Sequence, residues 1–220
     1  MSRVLPILFN AEMVRAILEG RKSCTRKIVK SQQLIGMLPD KCKNGAPEKF
    51  LKEKKLMFKP YCDMTDIELI NTAYKAPYQP GDILYVRETW KKAPNGYYYY
   101  EDWQRNDIAD VTKWEPSIHM PKEAARIWLK VTNVRVERLQ DITPKGAESE
   151  GVGNLFYDDI GYGEKNYGTE VDTEYGIAKE QFAWLWESTI KKSDLDRYGW
   201  DANPWVWVIE FERCEKPEGV

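Results

Sequence analysis

The chain has 220 residues, 42% of them hydrophobic, enough for the core of one domain, and its net charge of −2 argues against a protein that coats nucleic acid. No apolar run approaches the ~20 residues of a membrane-spanning helix, and the first residues are too few and too polar for a signal peptide. A cytoplasmic protein with no membrane partner is therefore expected. Four cysteines, at positions 24, 42, 62 and 214, lack C-x-x-C spacing, and His119 is the single histidine. Zinc and disulfides are not expected, all four cysteines read as free thiols, and no metal or cofactor is called for.

Residues 5–9 read as a short strand. Asn10 suits a helix N-cap, and Met13, Val14, Ile17 and Leu18 recur at helical spacing over 11–19. Gly20 is placed to stop that helix, and 25–29 can continue as a strand. Residues 1–60 hold 14 Lys and Arg against 5 Asp and Glu, a net of +9, while the remainder carries −11. The basic part is a candidate for phosphate contact, and a solvated lysine-rich insertion explains 49–59 equally well. Weak periodicity over 31–78 reads as an insertion, with one helix near 48–57.

Pro80-Gly81-Asp82 is a turn, 83–90 a strand turning polar at its end, and 97–100 a hairpin strand after Asn95-Gly96. Trp114 to Pro121 is bracketed by prolines and irregular. The strongest strand signal covers 126–139, with a break in alternation near Thr132-Asn133 that predicts a bulge. Thr143-Pro144 starts a helix that Gly151 closes. Residues 152–177 read as a second, loop-like insertion. A helix over 179–191 presents Phe182, Leu185, Trp186 and Ile190 on one face, and 205–211 forms the last strand with Trp207, Ile209 and Phe211 on one side. This order predicts an α+β domain with a curved, mostly antiparallel sheet or small barrel and helices at its ends.

Four places could carry chemistry. Lys22 and Thr25 lie three apart in a cationic run, where Arg21, Arg26 and Lys27 could depress the lysine pKa; a polar turn accounts for the same residues. In strict strand alternation positions 22 and 25 face opposite ways, so convergence needs a turn or bulge. Glu150 sits in the last turn of a helix, where the dipole disfavours a carboxylate; a solvated surface Glu is the alternative. Arg87, Glu88 and Trp90 at a strand end suit a cavity mouth that stacks and reads a flat ring, or an ion pair at a sheet rim. His119 and its neighbour Ser117 could line the same cavity, or His119 could make a structural hydrogen bond.

Ile17-Leu18-Glu19-Gly20-Arg21-Lys22-Ser23-Cys24-Thr25 resembles the signature of ASCH domains, a branch of the PUA-like superfamily. Gly81 to Trp90, Arg138 to Thr143 running on to Glu150-Gly151, and the 205–211 strand support the resemblance in the same order. Trp114-Glu115-Pro116-Ser117-Ile118-His119-Met120-Pro121 is similar to ASCH proteins of phages and prophages. The resemblance implies a small PUA-like β-barrel over 1–220, with flanking helices and insertions at about 31–78 and 152–177, and a cleft beside the first helix. It also implies handling of RNA or nucleosides. One bacterial branch is an N4-acetylcytidine amidohydrolase that uses a lysine, a threonine and a glutamate, matching Lys22, Thr25 and Glu150. The family's usual arginine two residues after the threonine is Lys27 here.

The expectation is therefore a metal-free amidohydrolase for N4-acylated cytidine or a related modified nucleoside. Lys22, Thr25 and Glu150 would be catalytic, and Arg21, Arg26, Arg87, Glu88, Trp90, Ser117 and His119 would bind substrate. A non-catalytic RNA or modified-base binder, an RNA-cleaving enzyme on the same cleft, and a phage protein that binds a host factor through 152–177 stay open.

Overall fold

The computed structural model describes residues 2–29, 74–104, 113–152 and 173–219. Most of both insertions, including the helix expected near 48–57, lies outside the described residues. The chain runs β1 (Val4–Leu8), α1 (Ala11–Leu18), β2 (Cys24–Ile28), β3 (Ile83–Arg87), β4 (Trp90–Ala93), β5 (Gly96–Tyr99), α2 (Tyr100–Gln104), β6 (Trp128–Arg138), α3 (Pro144–Ser149), α4 (Thr173–Thr189), α5 (Leu195–Tyr198) and β7 (Trp205–Cys214).

Five strands form one sheet in the order β1-β3-β6-β7-β2, and β4 and β5 form a separate hairpin. Only β1 and β3 run parallel; the other pairings in the sheet are antiparallel. The fold is thus a mixed α+β arrangement with a mostly antiparallel sheet. Its ladder is open among the described residues, because β1 and β2 are its two edges. The bulge expected near Thr132-Asn133 is a register shift between Val131 and Asn133, which bends the longest strand where it crosses β7.

Both faces of the sheet are covered, and strand alternation shows how. In β7, Trp207, Ile209 and Phe211 join a core with Ile7, Phe9, Val14 and Ile17 on the α1 side. Val206 and Val208 face the other way, onto Leu139, Ala147, Phe182 and Trp186 of the α3–α4 side. Burial on both faces explains the unbroken apolar run Trp205-Val206-Trp207-Val208-Ile209, each residue of which is buried. In β3, Leu84 and Val86 enter the first core, whereas Tyr85 packs with Trp90, Met120 and Trp128 in a third cluster under the hairpin.

Helices α2 and α5 were not expected from the sequence, and two other elements have shifted bounds. The 83–90 strand stops at Arg87, and Trp90 opens the hairpin instead, held by a backbone bridge to Glu115. α4 begins at Thr173, inside the stretch expected to be loop up to 177. Among the described residues no helix is long and apolar enough to cross a membrane.

Two glycines hold left-handed backbone at helix ends, with different surroundings. Gly20 has φ 77° and no atom within 4 Å of where a Cβ would sit. Gly151 has φ 90°, and a Cβ there would lie 2.7 Å from the Ala16 Cβ and 3.1 Å from the Lys22 Cβ. Gly20→Ala is therefore expected to cost only the backbone strain, about 1–2 kcal/mol. Gly151→Ala should add the clash with α1 and cost about 2–4 kcal/mol. Urea unfolding of the two variants checks this order; equal losses would contradict it.

Candidate functional site

The site is built where two helices end against an edge strand. Asn10 caps α1, its Oδ1 accepting from the Met13 N–H at 2.8 Å. At the other end the Arg21 and Lys22 amides both donate to the Ala16 carbonyl, at 2.8 and 2.9 Å. Gly20 turns the chain there. Thr143 caps α3, its hydroxyl accepting from the Gly146 N–H at 3.0 Å, with Pro144 at the first helical position. The C-terminal end of α3 then meets the chain leaving α1. The Ser23 amide donates to the Ser149 carbonyl at 2.9 Å, and Lys22 and Glu150 form an antiparallel bridge. β2 starts only at Cys24, so Lys22 lies in the turn before it, and strand alternation does not hold it away from the cluster.

The bridge brings the side chains together. Lys22 Nζ donates to Glu150 Oε2 and to the Glu150 carbonyl, both at 2.7 Å. Arg26 Nη1 donates to Glu150 Oε1 at 3.0 Å, and its Nη2 reaches Glu137 Oε1 at 2.6 Å. The Lys22 side chain is 0% exposed, Glu150 4% and Arg26 2%. Arg26 also lies over the Phe182 ring, 5.4 Å from its centroid, and Lys22 lies 5.5 Å from that of Phe9. Lys22, Arg26 and Glu150 thus form a buried cluster in which both Glu150 oxygens are occupied, and the partly exposed Glu137 extends it to Arg135 at 3.4 Å. The resemblance grouped Lys22 with Glu150, and the structure adds Arg26 as the second cation on that carboxylate. Cys24 beside them is no nucleophile: burial, and then Glu150, push its thiol up to about 12.

A cavity of about 390 Å³ opens beside this cluster. Its polar wall is Thr25, Arg26, Lys27 and Glu150, with Asn10, Thr89 and Ser117; its apolar wall includes Phe9, Met13, Phe182, Leu185 and Trp186. Phe182, Leu185, Trp186 and Thr189 follow helical spacing along α4, so one helix face walls the space. Thr25 is buried, and its hydroxyl has no hydrogen-bond partner among the described residues. Lys27 lies two residues on, and Thr25 and Lys27 stand opposite Ile209 and Trp207 on the same sheet face. It has no ion pair among the described residues. Burial and then the Lys22 charge hold its pKa below 10.5.

The structure therefore brings Thr25, Arg26, Glu150 and Ser117 to one cavity, with Lys22 directly behind Glu150. The other expected site residues do not line it. Arg21 donates to the Gly151 carbonyl at 2.8 Å and pairs with Glu19. Glu88 is buried against Arg126, both of its oxygens accepting at 2.9 Å, and burial pushes its carboxyl above the ordinary range despite that partner. Trp90 is buried against Tyr97, ring centroids 5.8 Å apart. Arg87 and the exposed His119 stand outside the cavity wall. Asn10, Thr89 and the α4 face were not expected in the site: Asn10 read as a cap and Phe182, Leu185 and Trp186 as core, and each serves both purposes. Among the described residues no cluster of three or more His, Cys, Asp or Glu could hold a metal ion.

The two lysines should respond oppositely to neutralisation. Lys22→Met strips a buried carboxylate of one partner and should cost about 3–5 kcal/mol. Lys27→Met removes a cation that has no ion pair among the described residues and should raise Tm at pH 7 by about 2–4 °C, the effect of ~1 kcal/mol in a chain of this size. Because the Lys27 pKa is lower folded than unfolded, its penalty is complete below the depressed value and fades as pH rises towards 10.5. The advantage of Lys27→Met should fade over the same range. Thermal melts of both variants across pH 6–10.5 check this, and a fall in Tm for Lys27→Met would contradict it.

No family model, no curated protein and no solved structure matches this chain.

Proposed function

We propose that this chain is an amidohydrolase of the ASCH, PUA-like kind, acting on N4-acylated cytidine or a related modified base. One observation carries the reading: Lys22 Nζ lies 2.7 Å from Glu150 Oε2, and Glu150 and Thr25 both stand on the wall of one cavity. A PUA-like fold is supported by the two edge strands, β1 and β2, both reaching that cavity, through Leu8 and through Thr25 to Lys27. Its volume is in the range of small-molecule sites, and Phe9 and Trp186 offer flat apolar surface to a base.

In this reading the Thr25 hydroxyl attacks the acyl carbon and passes its proton to Glu150. The carbon–nitrogen bond then breaks, and the exocyclic amine leaves with that proton. Water, deprotonated by Glu150, attacks the acyl-threonine; when that ester breaks, Thr25 recovers its proton and the acid is released. Arg26 and Lys27 place positive charge where the oxyanion develops. Lys22 does not reach the cavity wall. It is a positioning residue that fixes the Glu150 carboxylate and acts on the reaction through it.

The test is incubation of the purified full chain with N4-acetylcytidine, following release of cytidine. Wild type should turn over, and Glu150→Gln should lose about 10²–10⁴-fold in kcat. Lys22→Arg should shift the pH profile of kcat/KM as well as its height. No turnover by wild type, or equal turnover by Thr25→Ala, would sink the proposal.

A second reading, a non-catalytic binder of a modified base, is favoured by one feature. Both Glu150 oxygens are engaged by cations, and the Thr25 hydroxyl bonds to neither Lys22 nor Glu150. Saturable binding of N4-acetylcytidine without turnover, unaltered by Thr25→Ala, would mark that reading.

A further inference from the structure

The cations next to the cavity are not all matched. Arg15 pairs with Glu101 at 2.7 Å, Arg126 with Glu88 at 2.9 Å, and Arg26 and Lys22 with Glu150. Arg87 has no carboxylate partner among the described residues. Its Nε is buried without an acceptor, and its Nη1 makes only a long bond, 3.3 Å, to the Ile118 carbonyl. The guanidinium thus has a buried donor left unfilled and no carboxylate to balance it among the described residues.

Its position is at the cavity mouth. Arg87 is in register with Leu8 across the β1–β3 pair, and Leu8 lines the cavity while remaining 43% exposed. Thr89, two residues on, lines the cavity, and so does Ser117, the neighbour of the residue whose carbonyl Arg87 touches. The Ser117–His119 turn is short and stands between prolines, with Ile118 60% exposed and His119 exposed beside it. Through the Ile118 carbonyl the Arg87 guanidinium touches a turn that carries a hydroxyl and an imidazole, next to a space sized for a base and its sugar.

We propose that Arg87, with Ser117 and His119, forms a phosphate subsite at the cavity mouth, so that the ligand is a phosphorylated nucleotide unit and not a bare nucleoside. The inference rests on the cavity holding a nucleobase, as in the reading above. Guanidinium donors match phosphate oxygens two at a time, and the Nη groups, whose one contact is the long bond to the Ile118 carbonyl, are the donors that a phosphate would meet. A free nucleotide and a nucleic-acid strand would both present that phosphate.

Calorimetric titration with cytidine, cytidine 5′-monophosphate and a cytidine trinucleotide tests the subsite without requiring turnover. Wild type should bind at least one phosphorylated ligand about tenfold or more tighter than cytidine, and that margin should shrink as salt is raised. Arg87→Gln should abolish the margin, Arg87→Lys should keep part of it, and Arg213→Gln, at an exposed position of β7, should leave it unchanged. A preference for the monophosphate identifies a free nucleotide as the ligand, and a preference for the trinucleotide identifies a strand. Equal binding of all three ligands, no binding of any, or a margin that survives Arg87→Gln would overturn the subsite. Hydrolysis of N4-acetylcytidine, measured in parallel, separates the two proposals. Turnover without phosphate preference removes the subsite alone, and phosphate preference without turnover removes the hydrolytic reading alone.

Discussion

The ion cluster of Lys22, Glu150, Arg26 and Glu137 is the interaction on which the rest of this arrangement depends. Each of its charges would be costly alone at that depth, and a buried pair repays desolvation only when its geometry and hydrogen bonds are nearly complete. Here they are: Lys22 has two acceptors at 2.7 Å, and Glu150 has a cation on each oxygen. The cluster ties together three pieces of chain that are far apart in sequence, namely the end of α1, the edge strand β2 and the end of α3. Gly151 permits the approach, because its bare Cα faces Ala16 and Lys22 at a distance no side chain would tolerate.

The cluster also decides which groups are left for a ligand. Lys22 and Arg26 are held by carboxylates, and Thr25 and Lys27 are wall residues whose side chains have no partner among the described residues. Lys27 is the exception to the charge balance. It shares a strand face with Thr25 and carries its cation into a largely apolar space, which is why its pKa falls. Arg87 repeats the pattern at the entrance. Among the described residues, Lys27 on the cavity wall and Arg87 beside it have no carboxylate partner.

Much of the fold was legible because local signals agreed. Asn10 and Gly20 bracket α1, Thr143-Pro144 and Gly151 bracket α3, and the break at Thr132-Asn133 marks the bulge in β6. The spacing of Lys22 and Thr25 raised the site, but the sequence could not say which of two lysines five apart would be buried. That follows from where β2 begins, since Lys22 precedes the strand and Lys27 alternates with Arg26 inside it. Arg87, Glu88 and Trp90 looked like one cavity edge because they are adjacent. Their fates diverged when β3 stopped at Arg87: Glu88 found Arg126, Trp90 began a hairpin, and Arg87 alone stayed near the mouth. The α4 face could not announce its second role, because an apolar stripe that packs a core and one that walls a cavity have the same periodicity.

The central claim is that the cluster and the cavity beside it form one reactive site for an acylated base. A crystal structure of the Glu150→Gln protein soaked with N4-acetylcytidine tests it most directly. The account predicts the acyl carbon within contact of the Thr25 hydroxyl, the exocyclic nitrogen facing residue 150, and the base against the apolar wall of Phe9 and Trp186. A ligand bound elsewhere, or seated in the cavity with its acyl group turned away from Thr25, would contradict it.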